Sequence, residues 1–221
     1  MSTARLPGPK ALLFDLDGTL VDTVSTRLEA WLKAFGEFEI AADRADVARL
    51  IGSDGRRLAR IVAEASGSPI DQDKATEIDH RAGEIYDELN TNPRPLDGAV
   101  ELLEELDARH IPWAIATSSL EAQVKASVVA LKLPRRPMIV DGSHVEHAKP
   151  APDLLLRGAL ELGVSPQLIW YVGDSIWDME AARSAGMPAI GVTTGFATAD
   201  ELQASGASLV ISRLAQLLAA I

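Results

Sequence analysis

The sequence predicts an α/β protein, a parallel sheet covered by helices on both faces, with a separate helical unit inserted after the first strand. Three observations predict it. Short apolar runs bounded by turn residues alternate with stretches of helical periodicity from Asp97 onward, the pattern of strand-helix-strand units. A first run of the same kind, Leu12-Leu13-Phe14, stands far upstream. Between them, from Asp22 to about Asn90, no convincing strand occurs, and the alternation resumes only after Pro93-Arg94-Pro95. The expected division is residues 1–20 and 93–221 for the α/β core and 21–92 for the inserted helices, with prolines around Arg94 forming one of the joints.

Taken in order, Leu12–Phe14 is too short and too continuously apolar for a half-exposed strand, so it reads as a buried parallel one. In the inserted stretch, Leu28, Trp31, Leu32 and Phe35 make one helical face and Leu58, Ile61 and Val62 another. Gly36, Gly52, Gly55 and Gly67-Ser68-Pro69 punctuate it, which predicts about four short helices. Asp97 is the expected cap of a helix running to about Arg109. A strand is expected over 111–116, a helix over 120–131, a short strand over 137–140 and a helix opened by Pro152 and closed by Gly163. A strand over 168–172, a helix over 176–185, and strands over 189–192 and 209–211 complete the series.

Composition narrows the function. A hydrophobic share of 47% and a charged share of 24% are those of an ordinary globular protein. The formal net charge of -11 argues against nucleic acid or an anionic membrane as partner, since both demand a basic face. With no cysteine, disulfides, thiolate catalysis and cysteine zinc sites are excluded. The start of the chain, Met1–Lys10, is short and polar, and no apolar run is long enough to span a bilayer; a cytoplasmic location is the expectation.

The chemistry concentrates where the first strand ends. Asp15-Leu16-Asp17-Gly18-Thr19 places two carboxylates two positions apart, which strand alternation would put on one side. At about 4 Å and an effective dielectric of about 20, two such charges repel by roughly 4 kcal/mol. A divalent cation, a lysine or a shared proton must offset that. A calcium loop is a poor fit, because the glycine is fourth instead of sixth and an apolar strand precedes it. Strands of a parallel sheet bring their C-terminal ends to one edge, so the partners are sought after the later strands. Three stretches qualify. Thr117-Ser118 offers a hydroxyl and helix-start amides to a phosphate oxygen, although Ser118 and Glu121 also match a capping box. Lys149 offers an ammonium, although a lone loop lysine is most often solvated. Gly173-Asp174, with Asp178 one turn on, offers hard oxygen ligands suited to Mg2+, although Ser175 and Asp178 again have cap spacing. His144, Glu146 and His147 read as surface residues of a loop.

This ordered set resembles the haloacid dehalogenase-like superfamily of phosphohydrolases over nearly the whole chain. Asp15–Thr19, Thr117-Ser118, Lys149 and Gly173-Asp174 with Asp178 look like its four motifs. Lys149-Pro150-Ala151-Pro152-Asp153 resembles the branch of phosphoglycolate phosphatases and β-phosphoglucomutase, which carries a helical cap between the first two motifs. The resemblance implies a Rossmann-like core and a Mg2+-dependent phosphatase of a small phosphorylated metabolite. It implies that Asp15 is the nucleophile and forms an aspartyl-phosphate, and that Asp17 is the acid and base. Thr117, Ser118 and Lys149 are implied as phosphate ligands. Asp15, Asp17 (through its backbone carbonyl), Asp174 and Asp178 are implied around the metal, Asp178 either there or orienting Lys149. Asp17 also separates this chain from the dehalogenases and the phosphonate-cleaving branch, which lack that aspartate. The latter uses a cap lysine, and none lies between Asp46 and Ser68. Within Gly52-Ser53-Asp54-Gly55-Arg56-Arg57, Arg56 and Arg57 are candidates to meet an anionic part of the substrate. Gly18–Thr23 and Asn92–Leu96 are the implied hinges of the cap. Two other functions are weighed: a sugar phosphomutase, which needs a second phosphate pocket, and a non-catalytic binding protein, which the full set of acids disfavours.

Overall fold

The computed structural model describes residues 6–221; Met1–Arg5, the start of the polar N-terminal stretch, lie outside the described residues. Six strands form one parallel sheet: β1 (Ala11–Phe14), β2 (Trp113–Ala116), β3 (Ile139–Val140), β4 (Ile169–Gly173), β5 (Ala189–Val192) and β6 (Leu209–Ile211), in the order β3-β2-β1-β4-β5-β6. Alternation within β1 explains why its run is apolar throughout. Leu12 and Phe14 pack on one face with Ile115, Trp170, Val172 and Leu102, Leu103 and Leu106 of α5 (Ala99–Ala108). Ala11 and Leu13 pack on the other with Tyr171, with Leu154 and Leu155 of α7 (Asp153–Leu162), and with Met179 and Ala182 of α8 (Ile176–Ala185).

The inserted residues form α1 (Val24–Glu37), α2 (Arg44–Leu50), α3 (Gly55–Ala65) and α4 (Gln72–Leu89), with an apolar cluster of their own built from Leu28, Trp31, Phe35, Leu58, Val62, Ile78 and Ile85. Two short linkers tie these helices to the sheet. They run beside one another: the Asp22 N–H donates to the Arg94 carbonyl at 2.8 Å and the Leu96 N–H to the Leu20 carbonyl at 2.9 Å.

Three local expectations are corrected. α5 is capped by Gly98, whose φ of 80° turns the chain past Ala215, so Asp97 lies outside the helix. α6 (Glu121–Ala130) is capped at Leu120, whose N–H donates to Gln123 Oε1, so Ser118 is not its cap. A further helix, α9 (Ala199–Ser205), lies between β5 and β6, where no element is expected; its signal is the reciprocal Thr198 and Glu201 cap.

Candidate active site

β1 and β4 are the central neighbours at which the strand order reverses, and the groove beyond their C-terminal ends is where open α/β sheets bind ligands. Asp15 follows β1 directly and its N–H donates to the Val172 carbonyl of β4 at 2.8 Å. Asp174 follows β4. Both side chains are buried. Lys149 reaches Asp15 from the loop before α7. Its Nζ donates to Asp15 Oδ1 and, at 2.8 Å, to Asp178 Oδ1, with 1% of the residue exposed, so it is not a solvated loop lysine. Burial opposes its charge, but Asp15 and Asp178 hold it above the usual lysine range.

Asp178 has no lone pair to spare. Its Oδ1 accepts from Lys149 and from the Tyr171 hydroxyl at 2.8 Å, and its Oδ2 accepts from the Ser175 N–H and hydroxyl. It therefore acts on Lys149 and on the start of α8, which it caps reciprocally with Ser175. Asp174 is the opposite case: it accepts one hydrogen bond, from Thr19 Oγ1 at 3.2 Å, and no cation lies in salt-bridge distance among the described residues. Burial, then the charges of Asp178 and Asp15, push it well above the usual carboxylate range. Burial pushes Asp15 up to about 7 even beside Lys149. Oxygens of Asp15, Asp174 and Asp178 lie within 4.8 Å of one another. Two crowded, under-compensated carboxylates at a dry strand edge fit a hard divalent cation.

Asp15 and Asp17 line one cavity, as expected, but each carboxylate has its own partners. β1 ends at Phe14, alternation stops with it, and the Asp17 carboxylate turns to the inserted helices. It accepts from Thr23 Oγ1 (2.6 Å), Ser119 Oγ (2.7 Å), Arg27 (2.9 Å) and Tyr86 OH (2.9 Å). Burial opposes its ionisation, yet Arg27 and these donors hold it below the usual carboxylate range. Arg27 lies 3.5 Å over the Tyr86 ring and also donates to Gln123 and Ser119.

A cavity of about 70 Å³ collects Asp15, Asp17, Thr117, Ser118, Lys149 and Asp174 from the sheet side, with Arg27, Gly52, Ser53 and Asp79 from the helical side. Arg56 and Arg57 do not line it. Arg56 pairs with Asp54 at 3.0 Å, and Arg57 lies 5.0 Å from the Trp177 ring centre; both border a neighbouring cleft with His147 and Pro150. His144 and His147 pair locally with Asp141 and Asp153. Sequence reasoning missed Arg27, Tyr86, Ser119 and Asp79. Ser119 is the next residue after an identified pair, and a tyrosine in a helical apolar face needs a partner for its hydroxyl, so those two carried a readable signal.

Comparison with known proteins gives the family. Residues 12–192 match the profile of the haloacid dehalogenase-like hydrolases. The chain is 31% identical to a fructose-1-phosphate phosphatase of Escherichia coli (strain K12), over 82% of this chain and 95% of that protein. It is 32% identical to a phosphoglycolate phosphatase of Rhodospirillum rubrum, over 85% of this chain and 81% of that one. The crystal structure of a hydrolase from Pseudomonas syringae superposes with a TM-score of 0.90 at 33% identity, covering 95% of this chain and 96% of the other. The chain belongs to the haloacid dehalogenase-like hydrolase family.

Proposed function

We propose that the chain is a Mg2+-dependent phosphatase that hydrolyses a small phosphorylated metabolite through an aspartyl-phosphate on Asp15. The observation that carries this reading is the strand-edge arrangement itself: Asp15 at the end of β1, Asp174 beside it, and Lys149 locked onto Asp15 by Asp178. Its relatives named as phosphatases support the reaction class.

Asp15 attacks phosphorus and takes the phosphoryl group, which divides a difficult hydrolysis into two displacements. Asp17 is the acid for the leaving alkoxide and the base for the water that opens the acyl-phosphate; since Arg27 and its other donors favour the carboxylate, it must first take up a proton against them before it can act as the acid. Its four donors orient the carboxylate, and three of them, Thr23, Arg27 and Tyr86, move with the helical unit. Lys149, Thr117 and Ser118 hold phosphoryl oxygens from the sheet side. Asp15, Asp174 and the Asp17 backbone would hold Mg2+, which supplies charge neutralisation to the transferring phosphoryl group. Asp178 keeps Lys149 in position. Residues 21–92 act as a cap on the linkers at 18–23 and 92–96, placing Arg27, Gly52, Ser53 and Asp79 over the sheet-edge residues.

The test is phosphate release from a panel of phosphorylated sugars, nucleotides and small acids, with Mg2+, with chelator, and with Asp15→Asn. Release that requires Mg2+ and disappears in the variant is the expected result; release that survives either change overturns the reading. Mg2+ is also expected to raise the Tm of the wild type by several degrees, through binding the folded state alone.

A further inference from the structure

The helical cap carries one carboxylate that the chemistry above leaves idle. Asp79, on α4, lines the same cavity as Asp15 and Asp17. The charges around it are already committed: Asp54 to Arg56 at 3.0 Å, Arg27 to Asp17 at 2.9 Å, and His80 to Glu84. Among the described residues it has no hydrogen bond or ion pair of its own. The fold makes room for it: a Cβ on Gly55 would stand 1.9 Å from its Oδ1. Desolvation, with the charge of Asp54 next, pushes Asp79 up to about 6, so at neutral pH it is mostly ionised. Of the charged groups lining this cavity, Arg27 and Lys149 are the cations and both are paired, whereas Asp15, Asp17, Asp79 and Asp174 are acids. A second anionic group on a substrate would therefore meet an unpaired carboxylate and find no free cation. A hydroxyl would find a charged acceptor with no competing donor.

We propose that Asp79 sets the substrate class: it accepts hydrogen bonds from hydroxyls of the leaving group, selecting sugar or polyol monophosphates and rejecting phosphorylated carboxylic acids and bisphosphates. This rests on the phosphatase reading of the same site. Similarity does not make the choice, because the fructose-1-phosphate and phosphoglycolate phosphatases stand at 31% and 32% identity.

The experiment compares kcat/KM for fructose 1-phosphate and for phosphoglycolate in the wild type, Asp79→Asn and Asp79→Ala, with p-nitrophenyl phosphate as a substrate lacking both hydroxyls and a second anion. Within one variant both substrates meet the same enzyme, so any loss of folded protein cancels in the ratio. The wild type is expected to favour fructose 1-phosphate. Both variants are expected to move the ratio about tenfold or more toward phosphoglycolate, chiefly through KM. A wild type that favours phosphoglycolate, or a ratio unmoved in both variants while p-nitrophenyl phosphate is still hydrolysed, overturns the assignment of Asp79 alone. No phosphate released from any of the three compounds by the wild type overturns the phosphatase reading and this assignment with it.

Discussion

Lys149, fully enclosed, and Asp79, half-buried, are opposite ways of holding a charge near the site. Lys149 is enclosed and doubly paired, so its removal leaves Asp15 and Asp178 facing each other without the ammonium between them. Breaking a buried pair from one side costs about 3–5 kcal/mol. Lys149→Ala is thus expected to lower the midpoint of a urea melt substantially as well as to abolish activity, and a melt like that of the wild type would contradict the pairing. Asp79 has no such partner, and its raised pKa makes it a stability cost. In the folded state it binds its proton more tightly than in the unfolded chain, so the cost is absent below its ordinary value of 3.8, grows as pH rises, and is complete above about 6. Asp79→Asn is expected to raise Tm at pH 8 by about 2–4 °C, equivalent to about 1 kcal/mol, and to bring no gain at pH 4. Thermal melts at the two pH values check it; an equal effect at both would contradict the ionised carboxylate as the cause.

The inserted helices cover these residues, and their contacts with the core include specific hydrogen bonds. The Asp54 N–H donates to the Lys149 carbonyl at 2.8 Å, and the Trp177 indole to the Arg49 carbonyl at 3.1 Å. Gly52 has a φ of 92° and lies so close to α8 that a Cβ would stand 2.9 Å from Ser175 Oγ. Gly52→Ala is expected to hold the cap off the core, lowering kcat/KM at least tenfold while the core melts as before and the linkers at 18–23 and 92–96 become easier to cleave by protease. Wild-type kinetics in that variant would show that the close approach does not matter. The same element shows where the sequence runs out. That α3 carries Gly55-Arg56-Arg57 is readable, but which way each arginine turns depends on Asp54 and Trp177, residues from the loop before it and from the core. Arg27 was hidden for the same reason, since a cation on α1 acquires meaning only when α1 lies over Ser119 and Asp17.

At the scale of the whole molecule, the legible part was the part governed by local rules. Apolar runs alternating with helical periodicity gave six strands in sequence, and parallel connections bring their ends to one edge, which is why Asp15, Thr117, Lys149 and Asp174 meet although up to 159 positions separate them in the numbering from 15 to 174. The partners of Asp17 were not legible, because β1 ends three residues earlier, at Phe14, and its carboxylate is held by Thr23, Arg27, Tyr86 and Ser119 from later elements. In this acidic protein, with net charge -11, both cations that line the cavity are held by carboxylates: Lys149 by Asp15 and Asp178, Arg27 by Asp17. On the proposed reading, Asp15 carries the phosphoryl group between two displacements. Acid-quenching the enzyme during turnover with Mg2+ and its best substrate, then mapping phosphorylated peptides by mass spectrometry, tests it most directly. A phosphoryl adduct on the peptide bearing Asp15, sensitive to base and absent from Asp15→Asn, is the expected result; turnover with no adduct at any quench time, in an enzyme whose Asp15→Asn variant still releases phosphate, would show that Asp15 is not the carrier.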